Sequence, residues 1–101
     1  MVKLVTLYPW PKSPALFRKH YLEMHLPLCR EIPGILRSRY AFEPKTIEGS
    51  GNWFCIFEAE FADEAALDAA LATPEALRAA ADVANYSPDL PTSLVCQIET
   101  V

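Results

Sequence analysis

The order of strand-like and helix-like segments is the feature that most restricts the fold of this 101-residue chain. Four segments have strand character, because they are rich in β-branched and aromatic residues or alternate apolar with polar side chains. They cover residues 2–8, 35–44, 52–61 and 92–101. Two regions between them, 13–34 and 63–86, carry helix start signals and helical spacing of apolar residues. The predicted order is therefore β, α, β, β, α, β.

The first helical region has clear boundaries. Ser13 and Pro14 have the pattern of an N-cap residue followed by proline at the first helical position. Pro33 and Gly34 cannot continue a helix and mark its end. The predicted apolar face consists of Phe17, Tyr21, Met24 and Leu28. In the second region, Asp63 and Thr73 are predicted to begin two shorter helices.

This order predicts an α+β fold of the ferredoxin-like βαββαβ type, with a four-stranded antiparallel sheet and helices on one face. The length fits one domain over residues 1–101. Alternation places Trp53, Cys55, Phe57, Ala59 and Phe61 towards the helices. Phe54 and Ile56 then fall on the open face of the sheet. Since large apolar groups on an open face indicate an interface, we expect a symmetric homodimer that packs two sheets together.

Charge and composition exclude several classes of partner. The net charge is −4 and the sequence has no cluster of Lys or Arg, so neither nucleic acid nor an anionic membrane is an expected partner. The chain has no apolar run long enough to span a membrane and no secretory signal, which predicts a cytoplasmic protein. Cys29, Cys55 and Cys96 fit neither a disulfide framework nor a zinc site, and we expect reduced, mostly buried thiols.

His25 stands inside the first predicted helix, two residues before Pro27. Proline cannot donate a hydrogen bond to the carbonyl of Glu23, so a bend at the histidine is predicted. Tyr21 precedes His25 by one helical turn and is its neighbour on the helix surface. Two interpretations of His25 are open: a general base or acid in a pocket, or a partly buried histidine bonded to the freed carbonyl. Tyr21 and His25 are the candidate catalytic residues.

His20 lies about 140° from His25 on an α-helix of about 3.6 residues per turn, so it is predicted to be a solvated surface residue. The two histidines are therefore not expected to share a metal ion. No other ligand-spaced cluster and no glycine-rich phosphate loop is present, and no metal or cofactor is predicted.

Several further side chains are candidate contacts for a ligand. Tyr8 and Trp10, at the end of the first strand, suit either a pocket mouth or packing at the rim of the sheet. Arg37, Arg39, Glu58, Gln97 and Glu99 are expected on the open face. Arg39 and Glu58 form either a structural ion pair or a site that orients a polar ligand. The candidate ligand-binding residues are Tyr8, Trp10, Arg39, Phe54 and Glu58.

Three stretches of the chain resemble the EthD family, which is named from ethyl tert-butyl ether degradation. They read VKLVTLYPWP, FRKHYLEMHLPLCREIPG and TPEALRAAADVANY, and the second, with Tyr21, His25 and Pro27, is the most specific. The resemblance implies a dimeric α+β barrel of ferredoxin-like halves, with His25 pointing into its cavity. His20 departs from the family pattern, which often has tyrosine there, and so does the segment 85–91, so no substrate class is implied.

The resemblance and the residues support two classes of function. The first is an accessory or binding role in the degradation of a small organic compound, with a small apolar or aromatic molecule as partner. The alternative is a cofactor-free isomerase, lyase or dehydratase, or monooxygenase that uses His25 as acid or base, with Tyr8, Tyr21 or Arg39 stabilising an oxyanion. Ligation of haem by His25 is a further alternative.

Overall fold

The computed structural model describes residues 1–101 and confirms the predicted order of elements. The strands are β1 (Val2–Pro9), β2 (Arg37–Phe42), β3 (Trp53–Phe61) and β4 (Thr92–Gln97). The α-helices are α1 (Pro14–His20), α2 (Leu26–Arg30), α3 (Glu64–Leu71) and α4 (Pro74–Asp82). A π-helical turn, Tyr21–His25, joins α1 to α2, and a 3₁₀ turn, Val83–Asn85, follows α4.

The four strands form one antiparallel sheet in the order β2-β3-β1-β4. This is the ferredoxin-like arrangement that the sequence predicts. The register places Leu4 opposite Ala59 and Thr6 opposite Phe57, so alternate residues of β1 and β3 face the helices together. The main core lies between this face and the helices and includes Val2, Phe17, Tyr21, Phe61 and Leu67.

The helices begin at the predicted positions, although α2 ends at Arg30, ahead of the predicted end at Pro33 and Gly34. Asp63 accepts a hydrogen bond from the backbone N–H of Ala66 (2.8 Å), and Thr73 accepts one from that of Ala76 (3.2 Å). Ser13 stands at the predicted N-cap of α1, but its side chain makes no capping hydrogen bond. No helix in the structure is both long enough and apolar enough to cross a membrane.

A β-bulge in β3 reverses the predicted orientations of Trp53 and Phe54; Trp53 pairs with Pro9 and so falls on the open side of the sheet. Tyr8 pairs with Cys55 and Pro9 pairs with Trp53, so Phe54 is an extra residue in its strand. Pro9 has no N–H to continue the ladder, which fits an interruption here. Phe54 is 0% exposed, and its ring centroid lies 4.9 Å from that of Phe17 on the helix side. The prediction that Phe54 lies on the open face is therefore wrong.

The irregularity predicted near Pro27 is a π-helical turn, in which the N–H of Leu26 donates to the carbonyl of Tyr21. The turn holds one residue more than an α-helical turn and shifts the buried face by one position. His25 is buried, whereas Met24, predicted on the apolar face, is 55% exposed.

The open face of the sheet carries charged side chains between apolar ones. Arg39 donates to Glu58 (3.3 Å), which confirms the predicted ion pair, and Lys3 contacts the same carboxylate (3.4 Å). The prediction that Gln97 shares this face is wrong, because Gln97 pairs with Val2, which faces the helices.

Candidate functional site

A cavity of about 180 Å³ lies between the helices and the side of the sheet formed by β1 and β4. Its walls are mainly apolar and include Leu4, Ile32, Phe57, Ala76, Ala79 and Val83. The polar residues on its lining are Thr6, Tyr8, His25 and Ser93. An apolar pocket with a few converging polar groups is the usual form of a small-molecule site.

His25 enters this lining from the π-helical turn. Its side chain is almost fully buried, and Nδ1 lies 3.1 Å from Oδ2 of Asp82, the last residue of α4. Because a carboxylate only accepts, Nδ1 carries the hydrogen and Nε2 is the basic nitrogen. Nε2 has no hydrogen-bond partner in the chain, yet it is not fully enclosed. Asp82 therefore fixes the orientation of the imidazole ring, and Nε2 remains free to accept a proton.

His20 contacts the same carboxylate, which corrects the prediction of a solvated surface residue. Its Nε2 lies 2.8 Å from Oδ1 and 3.1 Å from Oδ2 of Asp82, and its ring stacks on Tyr86 at 5.5 Å. The prediction assumed regular α-helical geometry. In a π-turn the hydrogen bonds join residues five apart, so His20 and His25 lie about one turn apart on one face.

Asp82 is the acceptor at the centre of this group, and Asn85 adds a third donor at 2.9 Å. Burial alone raises the pKa of Asp82, but the hydrogen bonds from Asn85, His20 and His25 outweigh it and hold that pKa below its usual range. Burial also lowers the pKa of His25 below 6.5, and the contact with Asp82 offsets this only in part. At neutral pH the pair is an anionic carboxylate beside a neutral imidazole.

Three buried tyrosines pack against one another, and two of them, Tyr21 and Tyr86, contact the imidazole. The hydroxyls of Tyr8 and Tyr86 share a hydrogen bond of 2.7 Å, and the Tyr86 ring lies 4.8 Å from His25. Tyr21 stacks on His25 at 5.5 Å, but it does not line the cavity. Its buried hydroxyl makes no hydrogen bond of normal geometry and has the Cys55 thiol, a weak acceptor, as its nearest polar neighbour. Burial raises the pKa of all three hydroxyls, so they remain protonated at neutral pH. When Tyr86 donates in the shared bond, Tyr8 keeps its own hydrogen and can donate it on the cavity wall.

The other candidate residues lie away from this cavity. Trp10 donates from Nε1 to Asn52 (2.9 Å) and packs on Phe54 at 4.9 Å, which is the rim-packing alternative. Arg39 and Glu58 lie on the open face of the sheet. The structure therefore brings Tyr8, Tyr21 and His25 together, whereas none of the other candidate residues lines the cavity: Trp10, Arg39, Phe54 and Glu58.

The buried cysteines are poor nucleophiles. Burial raises the pKa of the Cys29 thiol to about 11 and that of the Cys55 thiol to about 12. Both therefore stay protonated at neutral pH. All three cysteines are free, as predicted, although Cys96 is exposed.

Sequence reasoning missed Asp82, Tyr86 and the role of His20. One signal was present for Asp82, because it occupies the last turn of a helix, where the macrodipole disfavours a negative charge. Such a position for an acidic residue indicates that another interaction stabilises it.

The fold and the cavity define an α+β protein of the ferredoxin-like class with an apolar chamber between sheet and helices. Residues 11–88 match the EthD domain, and the chain belongs to the EthD family. It is 33% identical over 102 residues to an uncharacterized 11.0 kDa protein in the thcB-thcC intergenic region of Rhodococcus erythropolis, across 100% of this chain and 98% of that protein.

Solved structures show the same fold. An EthD family protein from Bacillus halodurans is 27% identical, with a TM-score of 0.89 over 98% of this chain and 99% of that one. A cofactor-independent oxygenase from Streptomyces nogalater is 20% identical, with a TM-score of 0.71 over 99% and 94% of the two chains. A dimeric protein of unknown function from Bacteroides fragilis, described as having a ferredoxin-like fold, is 15% identical, with a TM-score of 0.70 over 96% and 95%.

Proposed function

We propose that this protein binds a small, largely apolar organic molecule in the cavity beside His25 and that His25 acts on it as a general base without an organic cofactor. One observation carries the proposal: a buried neutral imidazole on the cavity lining has Nδ1 fixed by Asp82 and Nε2 unpartnered. A carboxylate behind a histidine holds its tautomer and stabilises the imidazolium that forms.

The proposed step is the removal of a proton next to a carbonyl group. Nε2 of His25 takes the proton, the electron pair of the broken C–H bond moves towards the carbonyl oxygen, and Tyr8 donates a hydrogen bond to the resulting oxyanion. Return of the proton to a different carbon completes an isomerisation. Loss of a hydroxide as water, with the same proton, completes a dehydration.

Oxygen chemistry is a second outcome of the same first step. The similar protein from Streptomyces nogalater is described as a cofactor-independent oxygenase. The carbanion formed on the substrate adds molecular oxygen, which is the oxidant, and takes back the proton from His25 to give a hydroperoxide. Loss of water from this hydroperoxide leaves a new carbonyl group. This outcome needs the same base and the same apolar cavity.

A binding or accessory role is the second candidate function, because the cavity lining is mostly apolar and suffices to hold a ligand. This role requires His25 and Tyr8 only as polar contacts. It differs from the enzymatic role in that the bound molecule leaves chemically unchanged.

We also propose that two copies pair through the open face of the sheet. The register places Leu7 and Ile56 side by side there, with Val5 and Leu94 as a neighbouring pair. Leu94 is 51% exposed in the single chain, and a second sheet would cover it. The similar protein from Bacteroides fragilis is described as dimeric.

The test combines histidine NMR with turnover assays on a panel of lactones, phenols, quinones and cyclic ketones. The variants are His25→Gln and, as a control, Met24→Gln at the exposed neighbouring position. We expect ligand to shift the His25 ring signals, and turnover to fall about 10²–10⁴-fold only in His25→Gln. Ligand-induced shifts without turnover in the wild-type chain indicate the binding role, and the absence of both contradicts the proposal.

A further inference from the structure

The size of the cavity limits the molecules that it can take. Its volume is about 180 Å³. An apolar cavity of about 150 Å³ in another protein accommodates benzene. The cavity beside His25 therefore encloses one six-membered ring with a small substituent, and a second fused ring would have to project through the opening beside Leu71 and Ala80.

Small side chains on α4 create this space. Ala76 and Ala79 are buried on the cavity wall, and Ala80 lines it at an exposed position. Leu71, which is 41% exposed, stands beside the same opening from α3. A larger side chain at position 80 shortens the space that the cavity offers a ligand, and a smaller one at position 71 lengthens it. Neither change alters His25.

The polar groups on the wall select oxygen-bearing, uncharged molecules. Thr6 and Tyr8 are alternate residues of β1 and face the same side, and the Thr6 hydroxyl lies 3.2 Å from that of Ser93. The lining contains no Lys, Arg, Asp or Glu. An ionised ligand would lose its hydration there without gaining an opposite charge.

We infer that the site takes an uncharged compound with a single six-membered ring and at least one hydroxyl or carbonyl oxygen, and that Ala80 and Leu71 set its upper size. This inference rests on the proposed function, since it specifies the ligand of the same cavity. Hydroxyl donors on β1 hold the oxygen, and the apolar residues of α4 and β3 contact the ring.

The test measures binding of phenol, toluene, benzoate and 2-naphthol by calorimetry and by shifts of the His25 ring signals. The wild-type chain should bind phenol best, because toluene lacks the oxygen, benzoate is charged and 2-naphthol has a second ring. Ala80→Leu should weaken phenol binding about tenfold or more by overfilling the site. Ala81→Leu, at an exposed position on the next residue, should leave phenol binding and the unfolding temperature unchanged.

Leu71→Ala is the complementary variant, and it should improve binding of 2-naphthol relative to phenol. Equal affinity of the wild-type chain for phenol and 2-naphthol, or for phenol and benzoate, overturns the inference. Failure of phenol to bind at millimolar concentration, or unchanged binding in Ala80→Leu, also overturns it. If the expected binding pattern is found but no tested compound is turned over, the inferred ligand class stands and the catalytic role of His25 is contradicted. If a two-ring compound is turned over in a His25-dependent way, the catalytic role stands and the inferred ligand class is contradicted.

Discussion

His20 and His25 hydrogen-bond to a single carboxylate, that of Asp82, from positions five residues apart on one helical segment. His20 contacts both carboxylate oxygens and remains half-buried, whereas His25 contacts one oxygen and lines the cavity. The carboxylate therefore links the interior of the site to a histidine at its edge. Its removal should affect both rings.

Asp82→Asn should lower the free energy of unfolding by about 2 kcal/mol, because it replaces charge-assisted hydrogen bonds by neutral ones. It should also release His25 from its single tautomer, which ¹⁵N NMR of the imidazole reports directly. Asp68→Asn is the matched control, since Asp68 is exposed on α3. Equal urea denaturation curves for both variants would show that Asp82 does not stabilise the pair.

The stability of the protein should fall as the pH drops below about 6.5. Burial lowers the pKa of His25 in the folded chain, so the unfolded chain binds the proton more readily. The contribution of His25 to the free energy of unfolding is fully present above pH 6.5, the ordinary pKa of histidine, and it is lost as the pH falls towards the pKa of His25 in the folded chain. The loss is up to about 1.4 kcal/mol per pH unit.

Urea denaturation at about pH 7.5 and about pH 5.5 measures this effect as the difference between wild type and His25→Gln. The variant should lose less stability than the wild type between the two values. An identical loss in both proteins would mean that His25 does not titrate in this way.

Tyr21→Phe should leave the free energy of unfolding unchanged or raise it by up to about 1 kcal/mol, because the deleted hydroxyl is buried with only a thiol, that of Cys55, as a weak acceptor beside it. Tyr86→Phe should lower it by about 1 kcal/mol, since it leaves Tyr8 without its hydrogen bond. The two variants delete the same atom from neighbouring rings. A larger loss in Tyr21→Phe than in Tyr86→Phe would contradict the assignment of their hydroxyls.

The strand order, the caps at Asp63 and Thr73, and the Arg39–Glu58 pair followed from the sequence because each depends on local pattern or strand alternation. Phe54, Met24 and His20 were misplaced for one shared reason. Each lies at a β-bulge or a π-turn, which contains one extra residue. A prediction that assumes regular periodicity does not include this residue, and so it assigns the neighbouring side chains to the wrong face. Asp82 was missed because its two histidine partners are more than fifty residues away in the chain, and periodicity within one helix gives no information about contacts with another.

Leu7→Arg should convert the proposed dimer into a monomer, because it places a charge among the apolar residues of the open sheet face. Leu16→Arg is the control, since Leu16 is 68% exposed on α1, away from the sheet. Sedimentation velocity of both variants and the wild type gives the masses. A dimeric Leu7→Arg variant, or a monomeric wild type, would rule out pairing through this face.

The π-turn means that spacing along the sequence and spacing along the helix are different quantities in this protein. The turn contains one residue more than an α-helical turn, and Glu23 is an exposed residue within it. A chain shortened by one residue there can follow the same path as an ordinary α-helix, with its two histidines four positions apart and still above one another. Histidines separated by five positions ahead of a proline are therefore equivalent in space to a pair separated by four in an uninterrupted helix.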